Sequence, residues 1–180
     1  MSKTLLLAAL CLLLLAIAIV ALLALQRPDT FRVERSTRIQ APPAPVFALI
    51  NNMRQFNTWN PYSLKDPEMK GSYRGPEAGP GAAYDFAGKK SGSGSVEILQ
   101  ATAPSEVKMR LDMSAPFKAQ NIITFSLRAQ DDATLATWAM EGPSPFLGKF
   151  MGVLFSMDKM IGKDFEDGLA GLKASAEKPS

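Results

Sequence analysis

The stretch from Pro145 to Lys173 constrains this chain most. Ser144 is suited to cap a helix and Pro145 to open one. Apolar residues then recur at Phe146, Phe150, Val153/Leu154, Met157, Ile161, Phe165, Leu169 and Leu172. These steps of three and four draw one stripe down a single helix. At 1.5 Å per residue such a helix runs ~40 Å, the width of a small domain. The segments before it are mostly strand-like. A run of strands and one striped helix predict a curved sheet that grips the helix and can enclose a cavity.

The N-terminus reads differently. Residues 4–25 carry no charge and almost no polar side chain. As a helix this run is ~33 Å long, against a bilayer core of about 30 Å. It exceeds the apolar core of a secretory signal, and Ala24-Leu25-Gln26 makes a poor cleavage site. The expectation is an uncleaved single-pass anchor over residues 1–25, with the membrane as partner through residues 4–25. Two orientations stand open. Arg27, Arg32, Arg35 and Arg38 come after the run and favour a cytoplasmic domain. A short basic head with Lys3 before a long apolar run fits a signal-anchor that exports the domain C-terminal to it.

Residue usage excludes several chemistries. There is no histidine, and the one cysteine, Cys11, lies inside the apolar run. Ser-His and Cys-His dyads, disulfides and the common zinc sites are thereby removed. Neither a metal nor a cofactor is expected. The chain has 20 Lys+Arg against 17 Asp+Glu, too balanced for nucleic-acid binding through a basic face.

The rest reads as one domain over residues 31–176, with a linker at 26–30 and a tail at 177–180. Residues 31–40 alternate as a half-buried strand, with Phe31, Val33 and Ile39 on one face. Pro45 opens a short helix, Met53 to Asn60 forms a second, and Pro61 stops the chain. Residues 61–81 are predicted to be a long loop. Strands come next over 82–87, 93–100, 107–113, 123–127 and 133–142. The alternation of Val107, Met109, Leu111 and Met113 with charged residues is the cleanest. Short connections predict antiparallel pairing. The fold class is α+β.

Four stretches in this order resemble the START/Bet v 1-like (SRPBCC) superfamily, and within it the polyketide cyclase/dehydrase-like group. They are Ile39-Gln-Ala-Pro-Pro-Ala-Pro-Val-Phe47, Phe56-Asn-Thr-Trp-Asn-Pro-Tyr62, Gly75-Pro76 through Tyr84 with Gly92-Ser-Gly94, and Thr137-Trp-Ala-Met-Glu-Gly142 with Met157 through Leu169. The resemblance spans residues 31–174 and implies the helix-grip fold, an antiparallel sheet wrapped around a long C-terminal helix. It does not imply one function, because the superfamily includes lipid carriers, cyclases and receptors.

The candidate ligand-binding residues are Trp59, Tyr84, Phe86, Met109, Met113, Phe125, Trp138, Met140, Phe150, Leu154 and Met157. Any one of them is ordinary core; as a set, flexible Met and aromatic rings suit an adaptable apolar pocket. Asp158 is expected to pair with Lys159 or Lys163 rather than to act as acid or base, and Glu141 is read the same way. No catalytic residue is assigned. Gly88-Lys-Lys-Ser-Gly92-Ser-Gly94 lacks the context of a phosphate loop and reads as a hairpin turn. Gly148, Gly152, Gly162, Gly168 and Gly171 imply close backbone approach along the last helix, or else a hinge. The expected function is a membrane-anchored binder of a hydrophobic small molecule or lipid. The alternatives are a cyclase- or isomerase-type enzyme and a partner-binding module with a solid core.

Overall fold

The computed structural model describes residues 3–154 and 157–178, with the side chains of Leu147, Leu154, Met157 and Met160 outside that description. Seven antiparallel strands form one sheet in the order β1-β7-β6-β5-β4-β3-β2. They are β1 Thr30–Ile39, β2 Lys70–Arg74, β3 Ala83–Ala87, β4 Ser93–Thr102, β5 Glu106–Ala115, β6 Ala119–Gln130 and β7 Ala133–Pro143. The sheet's apolar face is covered by α2 (Pro43–Asn51), α3 (Met53–Trp59), α4 (Pro61–Lys65) and α6 (Met157–Ala176). The N-terminal helix α1 (Lys3–Leu25) is long and apolar enough to cross a membrane. Its surface is open except near Val20, Ala21 and Ala24, where it packs against α5 (Phe146–Leu154).

The core lies between sheet and α6. Ile98, Met109, Phe125 and Trp138 from the strands meet Phe165, Leu169 and Leu172 from α6, all essentially inaccessible to water. Trp138 stacks on Phe165 with ring centroids 4.3 Å apart. Trp59 stands edge-on to Trp138 at 6.0 Å and donates its indole N–H to the Leu49 carbonyl at 3.0 Å.

Two sequence expectations are corrected. Pro61 does not stop the chain: Asn60 accepts a hydrogen bond from the Tyr62 N–H, and Pro61 opens α4 at a position where its missing N–H costs nothing. The predicted loop 61–81 contains α4 and the edge strand β2, which is short and exposed throughout, so it shows no alternation of buried and open positions. The predicted helix 145–173 is described as α5 and α6, and residues 155–156 between them lie outside the described residues. The apolar surfaces of the two helices serve different partners, α1 for α5 and the sheet for α6.

The α6 glycines are close-approach positions. A Cβ at Gly168 would stand 2.5 Å from the Trp138 ring and 2.9 Å from Pro61 Cδ, and one at Gly162 only 2.0 Å from Arg35 Nη2. Gly152 in α5 has nothing within 4 Å. Two alanine substitutions therefore have opposite signs. Gly168→Ala overpacks a rigid contact and destabilises by about 1–3 kcal/mol. Gly152→Ala gains up to ~1 kcal/mol of helix propensity. Urea denaturation of the two variants beside the parent checks both.

Arg35 fastens α6 to β1. It occupies an inward-facing position of β1, and its guanidinium crosses Gly162 to grip Asp158 with two bonds of 2.9 Å. Its Nε donates to Glu166 at 2.9 Å. Asp158 thus pairs with an arginine from the sheet, and this pairing holds its carboxyl below the usual carboxylate range. Hydrogen bonds from Lys163 and Lys65 lower Asp167, those from Lys173 and the Gln40 N–H lower Glu177, and the backbone N–H groups of Lys90 and Ser91 lower Asp66. Carboxyls depressed in the folded state contribute stability above their unfolded value of about 4 and lose it as pH falls through the folded value. With no histidine in the chain, the melting temperature is expected to stay flat from about pH 8 to 5 and to fall below about pH 4. A thermal scan across pH checks this, and Asp158→Asn should make the acid limb shallower.

Candidate functional site

A cavity of about 240 Å³ lies between the sheet and the helices α3, α4 and α6. Its floor and walls come from inward positions of β3 to β7. Strand periodicity puts Tyr84 and Phe86, Leu111 and Met113, Asn121 and Ile123, and Trp138 and Met140 on that one face. Ile161 and Phe165 close it from α6, Met53 and Phe56 from α3, and Tyr62 from α4. Among the described residues every lining side chain is uncharged. The cavity can therefore hold a neutral, mostly apolar body, while a buried unpaired charge would be strongly disfavoured.

Two polar groups stand out against this lining. Asn121 is buried on β6, and its amide makes no hydrogen bond among the described residues. Gly142 on β7 leaves it room, because a Cβ there would lie 2.0 Å from Asn121 Oδ1. The Trp138 indole N–H is likewise buried without a partner. Unpaired buried polar groups are costly, and a ligand oxygen is one way to satisfy them. Tyr62 differs, since its hydroxyl lies near the Asp164 carboxylate. Burial above all, and then the Asp164 charge, push its phenol far above the usual range, so it stays protonated. Asp164 is itself held by Lys65 at 2.6 Å.

Of the residues proposed from sequence, Tyr84, Phe86, Met113, Trp138 and Met140 line the cavity. Met109 and Phe125 are wholly buried beneath it, and Trp59 belongs to the aromatic core beside it. Phe150 sits on α5, away from the cavity and near Phe146. The side chains of Leu154 and Met157 lie outside the described residues. Sequence reading missed Asn121 and Tyr62. Asn121 was legible in principle, because it precedes Ile123, Phe125 and Leu127 in the same alternation and is the one polar residue of that series. Nothing local marks Tyr62. The glycine-rich segment is a hairpin turn, with the Gly88 N–H donating to the Gly92 carbonyl at 2.8 Å, and its loop is tied down by Asp66. Glu141 pairs with Arg32 on the outer face.

A seven-stranded antiparallel sheet that grips a C-terminal helix over an apolar cavity defines the helix-grip class. Within that class the chain belongs to the polyketide cyclase/dehydrase and lipid transport family, whose model matches residues 30–177. The fold resembles that of protein CV1439 from Chromobacterium violaceum, with a TM-score of 0.60 at 16% identity over 85% of this chain and 100% of that one. It also resembles Ara h 8.0201, with a TM-score of 0.57 at 11% identity over 82% of this chain and 97% of that one. DynU16, from the dynemicin biosynthetic locus, gives 0.59 at 14% identity over 84% of this chain and 48% of its own. At these identities the likeness is one of fold alone. No curated protein matches the sequence.

Proposed function

We propose that this protein is a membrane-tethered binder of an uncharged hydrophobic molecule or lipid, held between the sheet and α6. Residues 1–25 are the anchor, 26–30 the linker, 31–176 the binding domain and 177–180 a tail. One observation carries the reading: a cavity whose described lining side chains are all uncharged, with the unpartnered Asn121 amide among them. Apolar burial at ~25 cal/mol per Å² supplies affinity. Asn121 orients a carbonyl or hydroxyl oxygen of the ligand. A free carboxylate or phosphate stays outside.

Native mass spectrometry of the full chain, released gently from membranes of the producing cell, tests this. The expected result is a co-purifying neutral, lipid-soluble compound. A clean apo mass that persists after incubation with a lipid extract would overturn the reading and favour a partner-binding role. A cyclase- or isomerase-type enzyme has one observation in its favour, the Tyr62–Asp164 pair beside the cavity. Chemical conversion of the recovered ligand by the parent and not by Tyr62→Phe would establish that alternative.

A further inference from the structure

Taking α1 as the anchor, we propose that the end of the sheet bearing the hairpin tip Pro116-Phe117-Lys118 sits in the headgroup layer of the bilayer that α1 spans. The cavity would then exchange its ligand with that membrane directly. The inference rests on the anchoring reading and adds a second, independent membrane contact to it.

Chain length sets the first constraint. Only residues 26–29 separate α1 from β1. Fully extended, four residues reach at most ~14 Å. Here they reach less, because the Gln26 and Arg27 N–H groups still bond to the Leu23 and Ala24 carbonyls. Asp29 is fixed as well: its carbonyl accepts from the Ser144 N–H at 2.7 Å and its carboxylate from Lys149 at 2.5 Å. The start of β1 is therefore held within ~14 Å of the end of α1.

Register sets the second. Thr30 of β1 lies opposite Pro143 of β7, and Glu141 of β7 lies opposite Ile122 of β6. The tip at 116–118 precedes Ile122 by four residues or more, so it projects past the level of Thr30 on the same end of the sheet. The turn at residues 88–92, between β3 and β4, is at this end too.

The side chains suit that place. Phe117 is 75% exposed, more than any other large apolar residue among those described. Lys118 and Lys90 place exposed ammonium groups at this end, beside Lys89, which is paired with Glu68 at 3.2 Å. On α5, which packs against the last turns of α1, Phe146 and Met151 are open. Rings at acyl-boundary depth with ammonium groups at phosphate depth are the chemistry of an interfacial contact. The cavity reaches this end: Met113 lies three residues before Pro116, and Ser91 lies in the 88–92 turn.

The test uses the full chain in vesicles of phosphatidylcholine and phosphatidylglycerol brominated near the headgroup end of the acyl chains. Bromine quenches tryptophan on contact. The native Trp59 and Trp138 are each 1% exposed and provide a shielded background. The added tryptophan of Phe117→Trp is expected to lose most of its emission, and that of Leu99→Trp, far along β4, to keep its own. An alkaline wash reads the anchor separately. Retention of the chain without quenching at 117 overturns this inference and leaves the anchor standing. Equal quenching at both positions also overturns it. Release of the chain by the wash overturns the anchor, and this inference with it.

Discussion

Replacing Phe165 by alanine is expected to cost about 3–5 kcal/mol, the largest loss of stability for any single α6 truncation. The ring is 1% exposed and stacks on Trp138 at 4.3 Å with an interplanar angle of 11°. Trp138 in turn touches Phe125 at 4.9 Å and Trp59 at 6.0 Å. Phe165 is thus the point at which α6 joins an aromatic cluster drawn from β6, β7 and α3. Close neighbours have little room to collapse into the vacated space, so both transfer and cavity contributions are lost. Against a total of about 5–15 kcal/mol for a domain, the variant would be marginal. Phe117→Ala is the matched control: its ring is open to water, and the effect should stay within about 0.5 kcal/mol. Urea denaturation followed by tryptophan fluorescence measures both. A loss below about 1 kcal/mol at Phe165 would mean that α6 is held chiefly by its polar contacts with β1.

Much of this was legible in the sequence, for identifiable reasons. Val107, Met109, Leu111 and Met113 face the interior because period-two alternation leaves them no other choice once one face is covered. Ile161, Phe165, Leu169 and Leu172 meet the sheet for the same reason at helical period. What escaped were features that no local pattern encodes. β2 is an edge strand with no buried position, so nothing in its composition separates it from loop. The Arg35 grip joins residues 123 positions apart, and a helix-local search finds only lysines near Asp158. Trp59 and Phe125 were grouped with the cavity because periodicity gives a side chain's direction and not its depth. Both are buried in the aromatic core and line no part of the cavity.

Leu111→Trp should abolish ligand uptake while leaving the fold intact. Leu111 is a half-buried β5 residue whose side chain enters the cavity from the middle of the wall, between Asn121 on β6 and Val96 on β4. An indole there fills space that the parent leaves open instead of displacing packed atoms. The cost in stability should be no more than about 1–3 kcal/mol, and smaller if the ring settles wholly in the cavity. Affinity for a neutral lipid-soluble probe should fall by at least tenfold, because the ligand and the indole claim the same volume. Asn121→Leu separates shape from polarity. It keeps the branched shape of the side chain and removes the one amide on the β6 wall. A probe with a carbonyl or hydroxyl should lose about 0.5–1.5 kcal/mol of binding, roughly 2- to 13-fold, and a plain hydrocarbon of the same size should lose nothing. Fluorescence titration of parent and both variants with a matched pair of probes reads all four quantities. Loss of both probes in Leu111→Trp, with loss of only the oxygenated one in Asn121→Leu, assigns apolar burial to affinity and Asn121 to orientation. Undiminished uptake by Leu111→Trp would place the ligand elsewhere on the molecule.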